Sequence, residues 1–228
     1  MDRKEFLRGM SGLLGAVVFG QALTACGSGG DDPGALTISE SSVTLDPAAT
    51  EATSVGTLDE AEIAGLKFMR EEEKLAHDVY VTMFNTWGAQ IFANIAESET
   101  EHTEAVLNQI EQYGVEDPAE GNPVGVFEDP YLQALYDKLV AMGSVSLIEA
   151  LKVGALIEET DIVDIREKME VTDEPSILQV YQNLLCGSYS HLQAFDKALA
   201  DQGVDYQAQV ITQEQWDAIA SGAEACGA

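Results

Sequence analysis

Positive charge is scarce in this sequence. Its 228 residues include 11 lysines and arginines against 40 aspartates and glutamates, which gives a formal net charge of −29. Proteins that bind nucleic acid need a basic surface to neutralise phosphates, so we expect no nucleic acid among the partners. The acidity itself is typical either of a solvated surface or of a protein that weakly attracts cations.

Histidine and cysteine are also few, at three residues each. No set of cysteines has the spacing of a structural zinc site, so this class of site is not expected. Cys186 and Cys226 could form a disulfide in an oxidising compartment, but the sequence leaves their pairing open. All three histidines, His77, His102 and His191, fall in segments that we predict to be helical.

The N-terminal apolar run, residues 10–22, is too short for an ordinary membrane span. It follows basic residues and ends at Leu23-Thr24-Ala25-Cys26, a pattern that predicts an export signal over residues 1–25. This end resembles a bacterial lipoprotein processing box. A lipid on Cys26 would anchor the protein to a membrane on the periplasmic or cell-surface side of the envelope. Two export routes are compatible with this segment. Its first residues match a twin-arginine signal imperfectly, and an ordinary secretory signal is the alternative.

Residues 26–56 are rich in Gly, Ser, Thr, Ala and Asp and lack a helical period, which predicts a flexible tether. Apolar residues at three- and four-residue spacing then predict four long helices within residues 57–203. The helix ends follow from turn and capping signals, which are capping boxes at Thr57–Glu60 and Ser146–Glu149, stops at Gly88 and Gly114, and Pro175 in a first turn.

The fold class that we predict is all-α, an antiparallel four-helix bundle with a long crossover between helices 2 and 3. The crossover includes a short helix near residues 131–142. A tail over residues 204–228 carries a further short helix that begins after a capping box at Thr212–Gln215 and packs on the outside of the bundle.

Each long helix carries polar side chains in the middle of its apolar face. These are Glu73 on the first helix, Glu99 and His102 on the second, Glu158 and Asp161 on the third, and His191 on the fourth. Burying a carboxylate among apolar side chains is costly unless it is paired or binds a metal. On a single helix, a solvated Glu and a buried, hydrogen-bonded His would give the same pattern. Here, however, all four long helices carry polar residues on their apolar faces.

The spacing of Glu99 and His102 puts both side chains on one helix face, and an inward Glu-x-x-His pair is what dinuclear metal bundles use. Four carboxylates and two imidazoles gathered without metal would repel, and two divalent cations relieve that repulsion. Mixed carboxylate and imidazole ligands favour iron, with manganese or zinc as alternatives. Ser188 stands where a second Glu-x-x-His pair would have its Glu. The group of His191 and Asp161 is therefore one acid short unless Asp161 compensates, and we expect two unequal sites with the His102 side filling first.

Several polar residues fall off the predicted inward faces. We expect solvent exposure for four acids and a surface or supporting role for His77. These acids are Glu71, Glu72, Glu159 and Asp164.

The segment from Leu66 to Leu199 resembles a prokaryotic ferritin-like family of unassigned function. The matching stretches are Met69–Ala76, Ile95–Glu99 through His102, Val153–Ala155 through Glu158–Glu159, and Leu185–Ser188 through His191–Leu192. More distantly, Glu73 with Tyr80 and Glu99 with His102 look like the paired helix motifs of rubrerythrin. No Cys-x-x-Cys pair follows, so the electron-transfer module of classical rubrerythrins is absent.

The resemblance implies a ferritin-like fold and does not supply a reaction. We expect a protein that holds two metal ions and, if it is an enzyme, reduces peroxide or oxygen while iron is oxidised. Tyr80 would then donate a hydrogen bond or an electron. The alternatives are a metal-binding or sensing module without turnover, and a metal-free bundle that uses the acids as a hydrogen-bonded core. A homodimer is left open.

Overall fold

The computed structural model describes residues 56–224 and Cys226. Within these residues the chain is all-α, as predicted, and contains no strand. The elements in chain order are α1 Glu60–Trp87, α2 Gln90–Tyr113, α3 Pro130–Gly143, α4 Leu147–Val171, α5 Pro175–Asp201 and α6 Gln213–Ala220. None of these helices combines the length and the apolar composition that a bilayer span requires. The export signal and Cys26 lie outside the described residues and stay predictions.

Helix ends follow the capping signals with two corrections. Ser146 caps α4 by accepting the N–H of Glu149, but the Glu149 side chain pairs with Lys152 and does not complete the predicted capping box. Asp59, and not Thr57, caps α1: its side chain accepts the backbone N–H groups of Ala61 and Glu62, while Glu62 accepts from the N–H of Asp59. The reciprocal pair therefore lies two residues later than predicted. Gly88 and Gly114 end α1 and α2 at φ of 65°, a left-handed conformation that favours glycine.

The four long helices pack as two antiparallel pairs. In the first pair, Glu73 of α1 lies beside His102 of α2, and Tyr80, farther along α1, lies beside Phe92, which is nearer the start of α2. The two helices therefore run in opposite directions. The second pair, α4 and α5, runs the same way, with Arg166 at Tyr189 and Gly154 at Phe195. Helix α1 also contacts α4, and α2 contacts α5, so the two pairs lie against each other.

The shorter elements cover the outside of the long helices. Helix α3 contacts α1 and α4, and α6 lies on α5 with Trp216 and Ile219 buried, as expected for the terminal helix. The segment between α2 and α3 is tied to α1 by charged side chains. Arg70 pairs with Asp117 at 3.1 Å, and Asp78 accepts the backbone N–H of Gly125 at 2.8 Å. These contacts join α1 to the segment between α2 and α3.

Gly154 lies in the middle of α4 because Phe195 packs directly on its backbone. A Cβ at this position would lie 2.3 Å from Cε1 and Cζ of Phe195. Gly154→Ala should therefore lower the free energy of unfolding by about 1–3 kcal/mol through overpacking. Gly65→Ala is the matched control, because its Cβ would have ordinary contacts of 3.5 Å and alanine favours the helix by about 1 kcal/mol. Urea denaturation of both variants measures the difference, and equal stabilities would contradict this account of Gly154.

Candidate metal centre

Five of the predicted ligands meet at one level of the four long helices. Among the described residues they form two groups whose ligand atoms all lie within 4.8 Å of one another. The first triad is Glu73, Glu99 and His102, and the second triad is Glu99, Glu158 and His191. Glu99 belongs to both. Asp161, the sixth predicted ligand, lies outside both triads.

The first triad joins α1 and α2. Nδ1 of His102 lies 3.2 Å from Oε2 of Glu73 and 2.9 Å from Oε2 of Glu99. The predicted three-residue spacing of Glu99 and His102 thus brings both side chains to one face of α2.

The second triad joins α2, α4 and α5. Nδ1 of His191 lies 2.9 Å from Oε1 of Glu99 and 3.5 Å from Oε2 of Glu158. Each oxygen of Glu99 therefore faces a different imidazole, and the two rings are 5.5 Å apart between centroids. Glu99 is the residue shared between the two groups.

Several buried atoms of the centre have no hydrogen-bond partner. They include Oε1 of Glu73 and Nδ1 of His191, which lies close to two carboxylates without the alignment of a hydrogen bond. An octahedral cation with bonds of about 2.1 Å keeps neighbouring ligand atoms about 3 Å apart. The spacing, the donor types and the unpartnered atoms all fit metal ligation.

The charges of the centre depend strongly on one another. Burial raises the pKa of Glu73 to about 7. Burial would also raise the pKa of Glu99, but the two imidazoles beside it lower this pKa to about 2. Burial alone would lower the pKa of each imidazole. The neighbouring carboxylates outweigh this effect and raise the pKa of His102 to about 12 and that of His191 to about 10. Without a cation, imidazolium groups therefore provide the positive charge.

Tyr80 lies beside the second triad. Its hydroxyl donates a hydrogen bond to Oε1 of Glu158, and burial raises the pKa of this phenol well above its usual value. Its ring packs against Phe195 and Phe92, with centroid distances of 5.5 Å and 6.3 Å. The ring position is thus fixed by aromatic packing, while the hydroxyl orients a candidate ligand.

Asp161 is held by Ser188. The Ser188 hydroxyl donates to Oδ2 of Asp161 and lies 3.0 Å from the carbonyl of Leu184, whereas Oδ1 of Asp161 has no partner. Burial, together with the charges of Glu73 and Glu158, raises the pKa of Asp161 well above its usual value. Asp161 and Ser188 thus occupy the place beside the triads where the sequence analysis expected a second Glu-x-x-His carboxylate.

The four flanking acids are buried, which corrects the expected exposure. Glu71 accepts the N–H groups of Glu128 and Asp129 from the segment that covers α1. Glu159 is 0% exposed and accepts from the segment before α6. Glu72 and Asp164 interact at the interface of α1 and α4. Their expected exposure was wrong because α1 and α4 are covered on more than one face.

Other predicted positions lie away from the centre. His77 is paired with Asp78 at 2.9 Å and has no contact with either triad, in agreement with the expected surface or supporting role. Cys186 and Cys226 form a disulfide with Cα atoms 5.2 Å apart, which links α5 to the C-terminal tail. Ser98, which had no recognisable signal in the sequence, lies 2.9 Å from Nε2 of His191.

A protein-family model described as an uncharacterized protein domain (DUF2202) matches residues 62–223, which include every residue of both triads. The chain belongs to this family. It is 46% identical over 164 residues to the uncharacterized protein MJ0754 of Methanocaldococcus jannaschii, an alignment that covers 72% of this chain and 89% of the relative. The crystal structure of that hypothetical protein matches with a TM-score of 0.71, covering 73% of this chain and 95% of the other. Membership of DUF2202 agrees with the expected family of unassigned function and assigns no reaction.

Proposed function

We propose that the four long helices of this DUF2202 protein form a ferritin-like bundle that binds two metal ions, one in each triad, with Glu99 as the shared ligand. The observation that carries the proposal is the position of Glu99, which presents one oxygen to Nδ1 of His102 and the other to Nδ1 of His191, each at 2.9 Å. A carboxylate between two imidazole-containing groups offers one oxygen to a cation on each side, and dinuclear metal bundles are built from inward carboxylates and histidines of this kind.

Charge balance supports this proposal. The two triads hold three carboxyl groups, from Glu73, Glu99 and Glu158, and a fourth, from Asp161, lies beside them. When ionised, the four would balance two divalent cations. Mixed carboxylate and imidazole donors favour iron, with manganese or zinc as alternatives. Metal-free pairing of imidazolium with carboxylate is the competing account. This account explains His102, whose Nδ1 forms hydrogen bonds with carboxylates, better than His191, whose Nδ1 lacks a hydrogen bond.

Bound iron(II) would supply the electrons for reducing peroxide or oxygen, which is the reaction class that we propose. The protein's own part is to hold the ligands and to exclude water, since Glu73, Glu99 and Glu158 are all buried. The Tyr80 hydroxyl holds Glu158 in place by its hydrogen bond, and we assign this phenol the role of hydrogen-bond or electron donor.

A binding or sensing module without turnover is the alternative function. Repeated consumption of peroxide by the iron(II)-loaded protein with an added reductant separates the two, because a module without turnover consumes at most the peroxide that its bound iron(II) can reduce. Tyr80→Phe tests the role of the hydroxyl, because it keeps the ring against Phe195 and removes the hydrogen bond to Glu158.

The two triads have matching donor sets of two carboxylates and one imidazole. The sequence pattern placed Asp161 in the His191 group and so predicted a stronger site on the His102 side. With Glu158 in that group, ligand count no longer favours either side. His102→Ala and His191→Ala should each retain about one of two metal equivalents. Calorimetric titration with manganese(II) or anaerobic iron(II) measures this stoichiometry.

The matched control for these variants is His77→Ala, which removes the remaining histidine and should retain both equivalents. His77 contacts Asp78 and neither triad. Undiminished binding in both His102→Ala and His191→Ala would contradict the assignment of the ligands.

A further inference from the structure

The two imidazoles of the centre are supported in different ways. Both present Nδ1 to the carboxylates, so Nε2 of each ring faces away from the triads. Nε2 of His191 lies 2.9 Å from the Ser98 hydroxyl. Nε2 of His102 instead faces the backbone of α5, where a Cβ on Gly187 would lie 2.3 Å from it.

The hydrogen bond at Nε2 matters because a neutral imidazole carries one proton. A ring that binds a cation through Nδ1 must carry its proton on Nε2, and a hydrogen bond from Nε2–H fixes both this tautomer and the ring orientation. In the structure the Ser98 hydroxyl oxygen is in position to accept that bond.

We infer that Ser98 is the positioning residue for His191, accepting its Nε2–H so that Nδ1 is directed at the second triad. Ser98 immediately precedes Glu99 on α2. One turn of this helix therefore supplies the shared carboxylate and also orients the imidazole contributed by α5. The inference rests on the proposed metal binding, and it predicts that loss of the hydroxyl weakens one of the two sites.

Ser98→Ala should weaken binding of one zinc(II) equivalent by about 10–100-fold and leave the other unchanged. Ser98→Thr keeps the hydroxyl and should restore the affinity. Thr100→Ala is the matched control, since its hydroxyl lies on the same helix, is exposed and bonds only to the carbonyl of Ala96 at 3.1 Å. Competition titration with a chromophoric chelator measures both affinities.

Nuclear magnetic resonance of the zinc(II)-loaded, ¹⁵N-histidine-labelled protein provides a readout that does not depend on affinity. The chain has three histidines, so each ring gives a separable set of signals. In the wild type, the Nε2–H proton of His191 should exchange slowly with water. In Ser98→Ala this proton should shift and exchange faster, while the His102 signals stay in place.

The outcomes distinguish failure of the proposed metal binding from failure of the role assigned to Ser98. A wild type that binds no zinc(II) overturns the proposed function, and this inference with it. A wild type that binds two equivalents, with Ser98→Ala matching it in both affinities and in the His191 signals, overturns the inference alone. Equal weakening of both equivalents also overturns it, because that result indicates general loosening of the bundle.

Discussion

Glu99→Gln should abolish binding of both metal ions, the largest effect on the centre expected from any single substitution. Glu99 is 2% exposed and belongs to both triads, so replacing its carboxylate with a neutral amide removes a charged ligand from each. In the wild type, each of the two ions at 100 times its dissociation constant should stabilise the fold by about 2.7 kcal/mol, so that both together contribute about 5.4 kcal/mol and raise Tm by about 11–22 °C. The variant should lose nearly all of this rise.

Glu97→Gln is the control for this experiment, because Glu97 lies on the same helix but is exposed. It changes the net charge equally and should keep the metal-induced rise. Differential scanning calorimetry with and without manganese(II) measures both variants. A rise that persists in Glu99→Gln would contradict a shared ligand, and no rise in the wild type would favour the metal-free account.

Glu159→Ala should give the largest loss of stability, about 3–4 kcal/mol, without a direct effect on the triads. The Glu159 carboxylate accepts the backbone N–H groups of Val210 and Ile211 at 2.8 and 3.0 Å and the Tyr206 hydroxyl at 2.8 Å. Alanine would leave these buried donors without an acceptor. The segment before α6 should then loosen from α4.

Urea denaturation of the metal-free protein measures this loss. Glu167→Ala is the matched control, since Glu167 lies on the same helix and is exposed, and its free energy of unfolding should change by less than about 0.5 kcal/mol. Equal stabilities for Glu159→Ala and Glu167→Ala would show that the buried carboxylate does not hold this segment.

The all-α class and most of the centre could be predicted because they depend on helix periodicity. Glu73, Glu99, Glu158 and His191 interrupt apolar faces at three- and four-residue spacing, and such interruptions are visible in the sequence. The ends of α1 and α2 at Gly88 and Gly114 could also be predicted, since the left-handed conformation after a helix favours glycine.

What could not be predicted depends on contacts between distant segments. The burial of Glu71 and Glu159 is set by backbone groups of residues 128–129 and 209–211, which no helical period reveals. The placement of Asp161 against Ser188, and of Ser98 against His191, depends on how α4, α5 and α2 are aligned along their axes.

Metal content of the folded protein, purified without chelators and loaded with iron(II) under anaerobic conditions, tests the central claim most directly. We expect native mass spectrometry to show two ions per chain in the wild type and none in Glu99→Gln. Absence of bound metal in the wild type, or equal metal content in both proteins, would contradict a dinuclear centre built on Glu99.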